Sequence, residues 1–487
     1  MNEKEDRPLK AILIGAGNRG MTVYGKYALN SPKKLNFIAV AEPITYRRDK
    51  FAKLHDIPPE RCFKGWENIF KEDKFADIVF VCTQDQMHVE PTINALDKGY
   101  DILLEKPMAH TLEGCYKIID RVKKTGKVLG VGHVLRYTAF FSTIKNTIRE
   151  GSLGNIINIS HRENVSWYHM AHSFVRGNWG NVKLSSPMIL AKCCHDLDLL
   201  FWLVDSLPKK ISSFGSLLHF KSINAPVDSP VYCVEGCPIE NICLYYAPRI
   251  YIDIVPITQI LEKSERTYLK FLASLRKKHK GVLSILSKLI KLLQSLRYWR
   301  DWPVEPLYSG LPEEASEDYS DETKMRILKT SPYGRCVYKC DNDVVDHQVV
   351  NIEFENNVTA NLTVHGFSEN EGRTLRIDAT KATLIGQFFD SGQKITVYDH
   401  FTGTSKVIFS EKLSINTSGH GGGDFSLIDS FLETLTNKEK TEPLTNANNS
   451  IESHFMAFAA EESRLKAKVV EMEKFRTKLF KSKNTNF

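Results

Sequence analysis

Apolar residues in the first 132 positions fall in short unbroken runs, separated by stretches where they recur every three or four residues. The runs within Lys10–Ile14, Phe37–Ala41, Asp77–Cys82, Asp101–Leu104 and Val128–Val131 read as buried strands. The stretches Met21–Leu29, His88–Lys98 and Leu112–Thr125 carry helical spacing. Strands alternating with helices of about 10–15 residues imply parallel βαβ units, so residues 1–132 are expected to form a doubly wound α/β domain. Further along, Leu272, Leu275, Val282, Ile285, Leu286, Leu289, Ile290, Leu293 and Leu296 mark one or two amphipathic helices broken near Gly281.

Composition narrows the class. The 487 residues are 42% hydrophobic and 25% charged, which excludes a disordered or fibrous chain and leaves room for two or three domains. No apolar run reaches about 18 residues, and Met1–Pro8 is charged where a leader would be apolar; a cytoplasmic protein is expected. The net charge is +7, yet Arg266–Arg300 alone holds ten Lys and Arg and no acid, so the rest of the chain is mildly acidic. A nucleic-acid surface would spread its cations over a face with aromatics among them, so no nucleic-acid partner is expected. The basic helices, an insertion at about 254–302, suit a lid or subunit contact better than a membrane surface or an acidic partner. Gly310–Thr323 carries six acids that can neutralise them.

Gly15, Gly17 and Gly20 form G-x-G-x-x-G between the first strand and the first helix. Gly15 permits the turn, Gly17 lets backbone approach a pyrophosphate, and Gly20 lets helix pack on strand. Glu42, ending the second strand, is placed to accept hydrogen bonds from ribose hydroxyls, which favours NAD over NADP. Arg47 and Arg48 leave a 2′-phosphate open.

Two segments carry candidate chemistry. Glu105-Lys106-Pro107 follows a strand at its carboxyl end, where open α/β sheets bind ligands, and a lysine there can bond or protonate a substrate oxygen. Met188–Trp202 leads into a helix with His195 and Asp198 on one face; His195 reads either as a proton acceptor in a cleft or as a core histidine capped by Asp198.

With Gly15-Ala-Gly17-Asn18-Arg19-Gly20, Thr83 with His88, Glu105-Lys106-Pro107 and His195-Asp-Leu-Asp198 together, the chain resembles the glucose-fructose oxidoreductase/inositol dehydrogenase (Gfo/Idh/MocA) family. The resemblance implies a Rossmann domain, residues 1–132, followed by an α+β domain, 133–487. The second domain would be built on a large open, mostly antiparallel sheet whose face joins subunits into a dimer or tetramer. It implies hydride transfer between a nicotinamide and a secondary hydroxyl of a sugar, cyclitol or related polyol. Lys106 and His195 would lie beside the reacting carbon, with Asn18, Arg19, Thr83, His88 and Glu105 at the cofactor. One departure stands out: the inositol dehydrogenase pattern has Asp four residues before the histidine, and this chain has Ala191, followed by Lys192. Lys192 reads as a cation at the substrate or as a solvated residue. Arg136, Tyr168 and His172 are of the types that read a sugar's hydroxyls and stack on its C–H faces.

Five of ten cysteines cluster as Cys233-x3-Cys237-x5-Cys243 and Cys336-x3-Cys340, either a structural zinc site or a packed thiol-lined loop; a disulfide is the weaker reading in a reducing compartment. The expectation is an NAD-dependent oxidoreductase acting on CH–OH groups. Its rivals are a redox-neutral enzyme that cleaves glycosides by transient oxidation and a non-catalytic NAD-binding regulator.

Overall fold

A computed structural model describes residues 7–253, 303–308, 320–389, 391–412, 420–437 and 442–483, with single positions 255, 259, 262, 270 and 274. The basic segment expected over 254–302 lies, but for those positions, outside the described residues, as does the acidic stretch 310–319.

The first sheet contains β1 (Leu9–Ile14), β2 (Leu35–Ala41), β3 (Cys62–Phe63), β4 (Ile78–Val81), β5 (Asp101–Leu104) and β6 (Leu129–Val131). All pairs are parallel, in the order β3-β2-β1-β4-β5-β6. Ile78, Val79, Phe80 and Val81 are fully buried, as continuous apolar runs must be when helices cover both faces of a parallel sheet. The long helix Leu112–Thr125 starts at Thr111, whose hydroxyl accepts from Gly114 N–H, and stops at Gly126 in the left-handed region. The helix expected over Met21–Leu29 is present, its first part, Arg19–Gly25, wound as a π-helix that continues into the α-helix Lys26–Asn30. Gly20 and Gly25 bring its backbone close to its neighbours: a Cβ on Gly20 would fall 2.2 Å from the Gly15 carbonyl oxygen. Strand β3 is two residues long and leaves no periodic signal; its pairing with Val40 and Ala41 defines it.

The second sheet has nine strands: β7 (Ile156–Ser166), β8 (Pro208–Ser216), β9 (His347–Phe354), β10 (Thr359–Ser368), β11 (Gly372–Ala379), β12 (Ala382–Phe389), β13 (Gly392–Asp399), β14 (Ser405–Lys412) and β15 (Val470–Glu471). Their order is β14-β13-β12-β11-β7-β10-β9-β8-β15, antiparallel throughout except for β7 with β10. Strict alternation shows which face is packed: Val350, Ile352 and Phe354 of β9 and Ala360, Leu362 and Val364 of β10 are buried. The helix Ala447–Lys466 packs on β8, on the helix Cys194–Val204 and on the first domain's helix Leu112–Thr125. Just before it, Thr445 accepts the Val131 N–H and donates its hydroxyl to the Val131 carbonyl, so the edge of β6 is covered by a segment over 300 residues away. Among the described residues no helix is long and apolar enough to cross a membrane.

Candidate active site

The glycine loop closes at the carboxyl ends of β1 and β4. Gly15 sits at φ +94°, and a Cβ there would lie 2.7 Å from the Cys82 carbonyl oxygen, so only glycine makes this turn. A Cβ on Gly17 would meet nothing within 4 Å, the opening a pyrophosphate needs. Glu42 is 5% exposed; its carboxylate accepts from Ala16 N–H at 2.8 Å and Ile44 N–H at 3.0 Å, and Arg48 donates to its carbonyl at 2.9 Å. Thr83 Oγ1, just beyond β4, is buried without a hydrogen-bond partner among the described residues. An open glycine cradle, a fixed carboxylate one strand over and an orphaned hydroxyl together fit a dinucleotide.

Arg19 does not point to solvent. It donates to Glu105 at 2.6 Å and to Asp424 at 2.8 Å, joining the glycine loop to β5 and to the segment 420–424 of the second domain. Tyr24 OH also donates to Glu105, at 2.6 Å. Burial would push the Asp424 carboxyl up, but Arg19 and His420 outweigh it and hold it at about 2. Burial likewise opposes ionisation of Glu105, yet Arg19, Tyr24 and Lys106 hold its carboxyl below the usual value. His88 faces the Pro107 carbonyl with Nδ1 (2.7 Å) and the Thr83 carbonyl with Nε2 (3.0 Å), tying the β4 and β5 loops together.

Lys106 precedes a cis peptide bond to Pro107 and donates from Nζ to the Ala191 carbonyl at 3.1 Å. His195, in the first turn of the helix Cys194–Val204, is 4% exposed, and neither ring nitrogen has a partner among the described residues. Asp198 does not cap it: Asp198 takes a bidentate pair from Arg136 at 2.6 and 2.7 Å. The His195 ring lies 5.6 Å from that of His133 and 5.7 Å from that of His420. Burial, then the positive charge of Lys106, pushes the His195 imidazole well below its ordinary value, which favours the neutral form that can accept a proton.

The reading of Lys192 as a solvated residue is overturned. Its ammonium lies 2.9 Å from Glu371 and 3.3 Å from Glu163, and it stays charged because these carboxylates outweigh its burial. Arg373 pairs with Glu163 and Asp196 (both 2.8 Å), completing a buried ionic cluster beneath the residue pair 191–192. Burial pushes the Glu163 carboxyl up to about 7. Tyr168 is buried with its ring 5.6 Å from Trp167. His172 turns its Nδ1 to Tyr251 OH at 3.0 Å and stacks on Tyr333. The structure thus brings Lys106, His195, Arg19 and Glu105 together, while Arg136 and His172 are engaged with Asp198 and Tyr251.

All ten cysteines are free. Cys193 and Cys194 are buried, and burial pushes both thiols up, Cys194 to about 12, which favours the protonated thiol over the thiolate. Cys233, Cys237, Cys243 and Cys336 line one small cavity, and Cys340 turns its sulfur to the Cys336 carbonyl at 3.4 Å. Among the described residues no three His, Cys, Asp or Glu side chains are already gathered around a metal position.

Sequence reasoning passed over His133 as a member of this site, while Gly419–Asp424 reads from the sequence as a stretch that can shape the pocket. His133 follows β6, and the carboxyl-edge rule used for Lys106 would have singled it out. His420 and Asp424 are brought in by tertiary folding from a glycine-rich turn, for which periodicity gives no signal.

The oxidoreductase family with NAD-binding Rossmann fold matches residues 9–133. The 2,7-anhydro-N-acetylneuraminate hydratase of Escherichia coli (strain K12) is 25% identical over 186 residues, 35% of this chain and 49% of that protein. The 1,5-anhydro-D-fructose reductase of Ensifer adhaerens is 36% identical over 85 residues, 18% of this chain and 26% of its own length. The chain thus spans half or less of the curated relatives it matches. A levoglucosan dehydrogenase, solved in complex with NADH and levoglucosan, superimposes with a TM-score of 0.61 at 15% identity, over 96% of this chain and 100% of that one; this likeness is one of fold. Residues 9–133 of this chain thus match the NAD-binding Rossmann domain of the Gfo/Idh/MocA oxidoreductase family.

Proposed function

We propose that this protein is an NAD-dependent oxidoreductase acting on a secondary hydroxyl of a sugar, cyclitol or related polyol. One observation carries the reading: His195 is buried with two unpartnered ring nitrogens, beside Lys106 at the edge where a dinucleotide would end. Leaving two polar atoms of one ring unpaired in a protein interior costs about 1–3 kcal/mol each, a cost tolerated where a ligand supplies the partner. The nicotinamide, when bound, supplies the hydride acceptor. Lys106 Nζ, held by the Ala191 carbonyl, has donors left to bond the substrate oxygen, and neutral His195 accepts the hydroxyl proton as the C–H bond breaks. Burial of His195 excludes water from the proton's path.

Glu42 supports NAD over NADP, since a 2′-phosphate would face a buried carboxylate of like charge. A homo-oligomer in the cytoplasm suits the same reading: Phe214 on β8, Tyr398 on β13 and Val407 on β14 leave apolar surface exposed on the second sheet. A redox-neutral variant of the chemistry draws support from the hydratase among the relatives.

The experiment is to denature purified protein, identify the released nucleotide, and screen NAD+ reduction over sugars, glycosides and inositols. NADH formed with one substrate class supports the dehydrogenase. Tightly held NAD without net reduction favours the redox-neutral reading, and absence of nucleotide binding overturns both.

A further inference from the structure

The segment 217–246, between β8 and the short helix Ala247–Tyr251, has no helix beyond one turn at Ser222–Asn224 and no strand. Loops of this length without regular structure are uncommon inside compact domains unless something fixes them. Backbone pairing supplies little: Tyr232 bridges Arg335, Cys233 N–H donates to the Gly334 carbonyl and Cys336 N–H to the Val231 carbonyl, each at 2.8 Å for the last two. Phe220 and Tyr245 anchor the two ends of the loop in an aromatic cluster with Tyr338 and Phe367, while Val227 and Ile242 between them remain over four-fifths exposed.

What the loop does hold is sulfur. Cys233, Cys237 and Cys243 come to the same small cavity as Cys336, a residue from the far side of the segment that contains the basic insertion. A fifth thiol, Cys340, does not line that cavity; its sulfur faces the Cys336 carbonyl at 3.4 Å, and within the cavity Cys233 Sγ faces the Arg335 carbonyl at 3.8 Å. Four is the number a closed structural zinc site takes.

A second, independent observation is Arg176. It is 5% exposed and makes no ion pair with a carboxylate among the described residues. Its Nε donates to the Arg335 carbonyl (2.7 Å) and its Nη2 to the Tyr245 carbonyl (2.7 Å), while Nη2 also lies 3.5 Å from Cys233 Sγ; Nη1 has no partner among the described residues. A buried guanidinium facing neutral groups is unfavourable, because its solvation is lost without a counter-charge. Four thiolates on one Zn2+ carry a net charge of −2, the sign and place that Arg176 requires.

We propose that Cys233, Cys237, Cys243 and Cys336 bind one structural Zn2+ that fastens the loop 226–246 to the segment 332–340, with Arg176 as the buried counter-charge. Zn2+ replaces the four S–H protons, which leave to solvent, and no electron is transferred. Tetrahedral zinc needs each sulfur at about 2.3 Å, so binding requires the four side chains to turn from their present positions toward a common point. The site is structural, so it stands or falls separately from the nicotinamide chemistry.

Metal analysis of full-length protein, purified without chelator or added metal, should find about one Zn per chain, released by an organomercurial thiol reagent. Alkylation read by mass spectrometry gives a test on the unaltered chain: Cys237 and Cys243 are only partly buried, so as free thiols they react, and as zinc ligands they are protected until the metal is stripped. Cys237→Ser should lose most of the zinc and Cys340→Ser should keep it. Less than a tenth of an equivalent of zinc, immediate alkylation of Cys237 and Cys243, zinc retained by a Cys237→Ser/Cys243→Ser double variant, or iron with acid-labile sulfide in its place would each overturn the proposal.

Discussion

Lys106 Nζ donates to the carbonyl oxygen of Ala191 at 3.1 Å, so the carboxyl end of β5 and the segment leading into His195 are joined across the domain boundary by the side chain expected to touch substrate. Lys106→Ala is expected to lower kcat by about 10²–10⁴-fold, the usual worth of a positioned acid–base group, while NAD affinity changes little. Steady-state kinetics with nucleotide titration checks this; a parallel loss of NAD affinity would make Lys106 a structural residue.

His195 sets the pH dependence. Because burial and the positive charge of Lys106 depress its pKa below 6.5, it is already neutral throughout the neutral range and is protonated only as pH falls well under that value. The acidic limb of kcat/KM should therefore lie below pH 6.5, and the residual activity of His195→Asn should lack that limb. A limb at or above 6.5 in the wild-type profile would contradict the proton-acceptor role.

Arg19 makes ion pairs with Glu105 and Asp424 at once. Asp424 is held at about 2 against an ordinary 3.8, so its contribution to stability is complete above 3.8 and is lost as pH falls toward 2. Arg19→Leu should destabilise the protein at neutral pH and weaken NAD binding. The stability gap to wild type should shrink as pH drops through that window, as followed by denaturant unfolding at a series of pH values.

Glu42 should govern nucleotide choice. Glu42→Ser removes the carboxylate beside Arg48 and is expected to lower the preference for NAD over NADP, compared as kcat/KM for the two cofactors. An unchanged ratio would mean that another group reads the ribose.

The Arg136–Asp198 pair is a stability element. Both side chains are at most 3% exposed, and Asp198→Ala strands a buried guanidinium, at a cost of about 3–5 kcal/mol. Chemical denaturation measures the loss, and the surviving folded fraction should keep its NAD affinity.

Most of the first domain was legible because its physics is local. Buried parallel strands need unbroken apolar runs, and the phosphate turn needs glycine, so β1, β2, β4, β5 and β6 and Gly15 could be read one segment at a time. Strand β3 could not, since two residues have no period. Lys106 and His195 were legible as residue types at strand and helix ends. The partners of Asp198 and Lys192 were not, because Arg136, Glu163 and Glu371 reach them from 62, 29 and 179 positions away, and spacing along a chain carries nothing about such pairs. One of the two sequence readings had Asp198 capping His195; a buried bidentate guanidinium is the stronger partner and took it.

Thr445 closing the edge of β6 has a bearing on how the protein comes into being. A nascent chain that has just produced Val131 carries a nearly finished nucleotide sheet whose β6 margin is bare, and must extend by more than 300 residues before the segment that covers it emerges. At about 5–20 residues per second, that margin stays open for tens of seconds, long enough for a chaperone to find it. A fragment cut after residue 132 would keep it open permanently and should associate edge to edge.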